Sequence, residues 1–207
     1  MLRDQYVYIV DDDEAVRDSV SALLESKGYA VTSFGSAPEF LETARSLSAG
    51  CVVVDIRMPE MDGLELQQRL IERSLGFPLI VITGHGDVPL AVRAMKAGAI
   101  DFIEKPFALE AILDSLAAAF ARLATPTGQD PAAVAAASKL NLLSPREREV
   151  LEGLLAGLPN KSIAYDLGIS PRTVEIHRAR LMDKMGARSL SELIRLALAG
   201  GVQPTSQ

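Results

Sequence analysis

The chain has 207 residues, 48% of them apolar, and a formal net charge of −6. That is enough apolar material for one large domain or two small ones, and the overall acidity means that charge alone does not argue for nucleic acid. No run approaches the ~20 apolar residues of a membrane span, the polar start Met1-Leu2-Arg3-Asp4-Gln5 is not a secretory signal, and the single Cys51 excludes a disulfide framework and fits a cytoplasmic protein.

The charge is unevenly spread. Residues 1–123 carry 19 acidic and 11 basic side chains, and residues 141–207 carry 7 acidic and 9 basic. An acidic front and a mildly basic rear imply two modules with different partners. In the front, β-branched and aromatic runs predict strands at 6–10, 30–34, 51–55, 78–83 and 101–103, several apolar throughout, as strands covered on both faces must be. Between them, 3.6-residue periodicity predicts helices at 15–27, 37–47, 63–73, 88–97 and 109–123, with Gly28 and Gly98 as stop signals and Pro38 in a first turn. Five βα units joined by short connections predict a flavodoxin-like, doubly wound parallel sheet of order 2-1-3-4-5 over residues 1–123.

Residues 124–141 change character. Thr-Pro-Thr-Gly-Gln-Asp-Pro reads as a linker, and the Ala-rich stretch after it as a helical spacer. From residue 142 to 207 every pattern is helical. Ser144-Pro145-Arg146-Glu147 is a capping box opening a helix to about residue 156. Asn160 is expected to cap a helix over 161–167 that stops at Gly168. Ser170-Pro171 opens a third helix to Met185, stopped by Gly186, and Ser189 a fourth that ends at Gly200-Gly201. A short helix, a Gly-containing three-residue turn and a longer helix make a helix-turn-helix inside a small all-α, four-helix domain.

The chemistry sits at the strand ends. The first strand runs into Asp11-Asp12-Asp13 and the third ends in Asp55, which places Asp11, Asp12 and Asp55 at the carboxyl edge of the sheet, where open α/β sheets bind ligands. Carboxylates this close repel unless a cation lies among them. Mg²⁺, which prefers oxygen ligands and retains waters, suits the set. Asp55 then has the character of a nucleophile toward phosphorus. Thr83 and Lys105, at the ends of the fourth and fifth strands, can grip phosphoryl oxygens, with Gly84 and Gly86 leaving room for backbone N–H groups.

Ile9-Val10-Asp11-Asp12, Asp55-Ile56-Arg57-Met58-Pro59, Val81-Ile82-Thr83-Gly84 and Asp101-Phe102-Ile103-Glu104-Lys105-Pro106-Phe107 resemble two-component response regulators of the FixJ type. Leu143-Ser144-Pro145-Arg146-Glu147-Arg148-Glu149, Pro159-Asn160-Lys161-Ser162-Ile163-Ala164 and Ser170-Pro171-Arg172-Thr173-Val174-Glu175 resemble LuxR-type DNA-binding domains. The resemblance implies that Asp55 is the phospho-acceptor, that Asp11, Asp12, Asp55 and the Arg57 backbone carbonyl hold Mg²⁺, that Thr83 and Lys105 grip the phosphoryl group, and that Phe102 is the aromatic switch. It implies as partners a FixL-like sensor histidine kinase, double-stranded promoter DNA, RNA polymerase, and a second copy of the chain. The expected dimer face is formed by the fourth helix and fifth strand, around Val92, Lys96 and Ile103. Targets would be nitrogen-fixation or microaerobic genes, activated on phosphorylation.

On the third rear helix, Val174, Leu181 and Met185 form an inward stripe. Arg172, Thr173, Glu175, Ile176, Ala179, Arg180 and Lys184 are the candidate DNA contacts. Glu175 can accept from cytosine, Ile176 and Ala179 can meet a thymine methyl, and the basic residues, Arg178 included, suit phosphates. Two other readings compete. A Mg²⁺-dependent phosphatase would need an acid/base carboxylate two residues after the nucleophile, where Arg57 stands, so the chain is read as no enzyme. A constitutive DNA-binding protein with a degenerate front domain is opposed by the intact acidic set.

Overall fold

The computed structural model describes residues 5–84, 88–124 and 131–202. These fall into two compact units: residues up to 84 with 97–124, and residues 88–96 with 131–202.

The first unit is built on five parallel strands: β1 (Tyr6–Val10), β2 (Ala30–Phe34), β3 (Gly50–Asp55), β4 (Leu79–Thr83) and β5 (Asp101–Glu104), in the order β2-β1-β3-β4-β5. β3 and β4 are buried along their whole lengths, as the unbroken apolar runs require. Alternate residues supply the two faces. Val7, Ile9, Cys51, Val53, Ile80, Ile82 and Ile103 form one core with Val20 and Leu24 of α1 (Glu14–Ser26) and with Ile112, Leu116 and Ala119 of α5 (Leu109–Ala124). On the other face Tyr8, Phe34, Phe40 and Phe77 meet ring to ring, between 5.2 and 6.5 Å apart, a spacing at which aromatic pairs attract beyond their buried area. Phe40 belongs to α2 (Ala37–Thr43), and α3 (Gly63–Glu72) adds Leu66 and Leu70. Burial pushes the Cys51 thiol up, so it stays neutral and acts as a small core residue.

The predicted second helix is shorter than its periodicity suggested. It stops at Thr43 and continues as a 3-10 turn over Ala44–Ser46. The Thr43 hydroxyl donates to the Phe40 carbonyl at 3.1 Å and Ser46 Oγ to the Thr43 carbonyl at 2.7 Å, local bonds that compete with helix continuation.

The second unit holds α4 (Val88–Lys96), α6 (Pro131–Leu140), α7 (Pro145–Leu155), α8 (Asn160–Leu167), α9 (Pro171–Met185) and α10 (Leu190–Ala199). α6, inside the segment expected to be a helical spacer, packs on α10 and α9 within this unit. Ser144 caps α7 in a complete capping box, Ser170 caps α9 and Ser189 caps α10. α8 differs from expectation. Pro159 occupies the cap position, Asn160 is the first helical residue, and its side chain instead accepts from Arg178 Nη1 at 3.1 Å. Gly168 and Gly186 end α8 and α9 at φ 66 and 65, in the left-handed region that favours glycine. Among the described residues no helix is long and apolar enough to cross a membrane.

Glu147 is 3% exposed. Lys184 Nζ lies 2.7 Å from its carboxylate. That ammonium, with the backbone N–H of Ser144, lowers the Glu147 pKa to about 2. A depressed carboxylate stabilises the fold above its ordinary, unfolded value and loses that contribution as pH falls toward the folded value. Glu147→Gln is therefore expected to cost about 1–3 kcal/mol at pH 7. The gap from wild type should close between the ordinary carboxylate range and about pH 2, as read by urea melts across that range.

Candidate functional site

At the carboxyl ends of β1 and β3, Asp11 and Asp55 are 5% and 8% exposed. The parallel register sets Val10 beside Val54, so the acids that follow emerge at the same edge. Lys105, one residue past β5, reaches back across that edge. Its Nζ lies 2.8 Å from Asp11 Oδ2 and 2.9 Å from Asp55 Oδ1. The remaining carboxylate oxygens are also occupied. Asp55 Oδ2 accepts the Arg57 backbone N–H at 2.6 Å, and Asp11 Oδ1 accepts the Asp13 N–H at 2.9 Å. Burial alone would lower the Lys105 pKa, but the hydrogen bonds to Asp11 and Asp55 outweigh it and the net shift is upward. The ammonium therefore keeps its charge at neutral pH.

The scaffold around the acids is tight. A Cβ on Gly63 would lie 2.5 Å from the Asp55 carbonyl oxygen, so the first residue of α3 must be glycine for that helix to start against the strand end. Asp62 caps α3 just before it, accepting from the Glu65 N–H at 2.7 Å. Arg17 Nη1 donates to the Asp11 carbonyl at 2.8 Å. Arg17 escaped the sequence reading because it lies inside a helical pattern, where an arginine reads as a solvated face. Thr83 is fully buried at the end of β4, and its carbonyl accepts the Lys105 N–H at 2.7 Å. The Lys105-Pro106 bond is cis. Below the acids a cavity of only about 10 Å³ remains.

The structure thus brings Asp11, Asp55, Thr83 and Lys105 together. Asp12 is exposed at the rim. Among the described residues no three acidic, His or Cys side chains gather as a metal cage. Arg57 joins the site through its backbone N–H, bonded to Asp55 Oδ2. The four carboxylate oxygens of Asp11 and Asp55 accept from Lys105 and from backbone N–H groups, and an all-oxygen set of this kind is the donor chemistry that Mg²⁺ prefers. Gly84 borders the site with open space above its Cα, whereas Gly86 lies outside the described residues. Phe102 is half-buried. Of the expected dimer-face residues, Lys96 is exposed, but Val92 is buried and Ile103 lies inside the core shared with α1 and α5. The reason for Ile103 is strand alternation: it shares a face with Ile80 and Ile82, and Phe102 points the other way.

In the second unit, Gly168-Ile169-Ser170 joins α8 to α9. Arg172, Glu175, Ile176, Ala179 and Arg180 are exposed along one side of α9, with Ile176 at 46%. Val174, Leu181 and Met185 are buried on the other. Thr173 is half-buried, and its N–H and hydroxyl both bond to Ser170 Oγ, at 3.1 and 2.8 Å. Lys184 is turned to Glu147 and to the Leu142 carbonyl. Tyr165 of α8, at 87% exposure, escaped the sequence reading. It directly follows the buried Ile163-Ala164 pair and is the most exposed large apolar side chain of the described residues.

Residues 7–117 match the response regulator receiver domain family, and residues 141–197 the luxR family of bacterial regulatory proteins. The transcriptional regulatory protein FixJ of Azorhizobium caulinodans is 54% identical, over 96% of this chain and 94% of its own, and that of Rhizobium meliloti 51% identical, over 99% and 100%. The chain belongs to the FixJ-type response regulators. The crystal structure of full-length FixJ from B. japonicum, at 49% identity, covers 96% of this chain and 98% of its own with a TM-score of 0.58. This regulator is therefore a transcription regulator with a receiver domain and a LuxR-type DNA-binding domain, and its receiver implies a sensor kinase partner.

Lys105→Met removes the charge that holds the two acids together. It is expected to lower the stability of the receiver by about 1–3 kcal/mol at pH 7. Chemical denaturation of the variant and the wild type at pH 7 measures the difference.

Proposed function

We propose that Asp55 is the phospho-acceptor of this regulator and that its phosphorylation raises affinity for promoter DNA and activates transcription. The observation that carries this reading is Lys105 Nζ at 2.9 Å from Asp55 Oδ1, with the other oxygen of that carboxylate held by a backbone N–H. In the transfer from a kinase phosphohistidine, an Asp55 oxygen forms a bond to phosphorus as the P–N bond breaks, and the histidine ring leaves with the bonding pair and takes up a proton. Asp11, Asp12, Asp55 and the Arg57 carbonyl would hold Mg²⁺, which supplies charge neutralisation for the incoming phosphoryl oxygens.

Before transfer, Lys105 balances two carboxylates. Afterwards a phosphoryl oxygen offers it a denser charge, and the Thr83 hydroxyl takes a second oxygen. Phe102 then moves into the space that Thr83 leaves. Support for this step comes from the backbone tie between Lys105 and Thr83, which links the two residues before any phosphate arrives. The face of α4 and β5 is proposed to join two copies. Arg93 and Lys96 are exposed on α4, and Val92 and Ile103 are buried. A switch from mostly off to mostly on needs about 5 kcal/mol of differential stabilisation, and pairing two weak readers on one site multiplies their affinity.

We read residues 1–123 as the receiver, 124–141 as a partly helical linker and 142–207 as the DNA-binding domain. α9 is the reading helix. Arg172, Glu175, Ile176, Ala179 and Arg180 face the groove, while Thr173 and Lys184 contribute chiefly through the helix cap and the Glu147 pair. We place the regulator in the cytoplasm, with a FixL-like sensor kinase and RNA polymerase as partners and nitrogen-fixation or microaerobic promoters as targets, by likeness to the FixJ relatives. The phosphatase alternative lacks its second carboxylate, since Arg57 stands there.

With an acyl phosphate as donor, wild-type affinity for a promoter duplex is expected to rise about tenfold or more, and Asp55→Asn should show no rise. A donor-dependent rise in Asp55→Asn, followed by fluorescence anisotropy, would contradict the assignment.

A further inference from the structure

Outside the helix-turn-helix, α6 makes one connection to the reading helix. Ala136 and Leu140 are buried as α6 packs on α10 and α9. From the next-to-last position of α6, Lys139 Nζ donates to the Met185 carbonyl, the last residue of α9, at 2.7 Å. Carbonyls at a helix C-terminus have no partner within the helix, and the dipole favours a cation there. Gly186 fits this contact twice over. Its φ of 65 ends the helix, and a Cβ in its place would lie 3.1 Å from the Lys139 ammonium.

The connection is reciprocated. Arg148 Nη2 of α7 donates to the Leu140 carbonyl at 2.8 Å, closing the end of α6. Lys184 Nζ of α9 donates to the Leu142 carbonyl at 3.2 Å while held by Glu147. Three cations on three helices thus satisfy backbone carbonyls at or just past the ends of their neighbours. Lys139 lies before residue 141, where the match to the luxR family begins.

We propose that Lys139 is a positioning residue for DNA recognition: from a helix outside the helix-turn-helix it holds the C-terminal carbonyl of α9 and so fixes the angle at which the reading face is presented. It acts through α9 and does not touch DNA. The proposal rests on α9 being the reading helix.

The test uses the full chain with two probes, a duplex enriched from a random pool by the wild-type chain and an unrelated duplex of equal length, titrated over a range of salt. Lys139→Met is expected to bind the enriched duplex roughly 3- to 10-fold more weakly. Binding to the unrelated duplex and the slope of log affinity against log salt should stay unchanged, and Lys139→Arg should retain wild-type selectivity. Unchanged selectivity in Lys139→Met overturns the proposal. So does an equal loss on both duplexes with a slope reduced by about one, which marks a direct phosphate contact. Ile176→Ala, run in parallel, separates the two levels. If it too leaves selectivity intact, the reading of α9 has failed and takes the proposal with it. If it loses selectivity and Lys139→Met does not, the Lys139 contact alone has failed. Should Lys139→Met not fold, Gly200→Ala serves instead. Its Cβ would lie 2.5 Å from Leu140 Cδ1 and 3.1 Å from the Ala137 nitrogen, displacing α6 with no change to the sequence of α9. The same selective loss is expected, and undiminished selectivity overturns the proposal.

Discussion

One ammonium shared by two carboxylates organises the front of this molecule. Like charges gathered at one strand edge repel, and Lys105 Nζ, 2.8 Å from Asp11 Oδ2 and 2.9 Å from Asp55 Oδ1, holds the two acids together. The arrangement needs β1 and β3 adjacent and in register, β5 at the sheet edge, and a loop that returns Lys105 over the strand ends. The parallel sheet supplies all of these, and the apolar faces under α1, α5, α2 and α3 hold it rigid. Under the proposed function, a new charge at Asp55 upsets this balance, because the lysine then has two partners to leave and a stronger one to join.

The second unit uses the same physics at helix ends. Glu147, almost wholly buried, is held ionised by Lys184 and by the Ser144 N–H of its own capping box. Lysines and an arginine then satisfy carbonyls that no helix can satisfy for itself. With an exposed outer side and three buried residues on its inner side, α9 has little apolar surface to hold it. These charge-to-carbonyl bonds supply directional restraint that apolar packing does not.

Much of this was legible in the chain. Apolar runs leading into Asp55 and Asp11 located the strands and put these acids at one edge of the sheet, because a strand buried on both faces leaves a plain signature. Ser144, Ser170 and Ser189 announced helix starts through their capping chemistry. Other features were not legible, for physical reasons. Ile103 reads as surface or core with equal ease in a four-residue strand, and its side was set by the register with β4. The bonds of Lys184, expected at DNA, and of Lys139 were hidden because the carbonyls and carboxylate they meet are distant in sequence. Asn160 looked like a cap, yet Pro159 took that place and freed the amide for Arg178. Asp12, between two acids that point inward or cap a helix, gave no sign that it would face solvent.

The central claim, that the carboxylate gripped by Lys105 at the end of β3 accepts the phosphoryl group, is tested most directly by mapping the modified residue. Incubation of the full chain with a phosphodonor, followed by borohydride reduction, converts an aspartyl phosphate into homoserine, which mass spectrometry places in the sequence. Homoserine at position 55 alone is the expected result. Homoserine at 11, 12 or 13, or at none of the strand-end acids, would contradict the account.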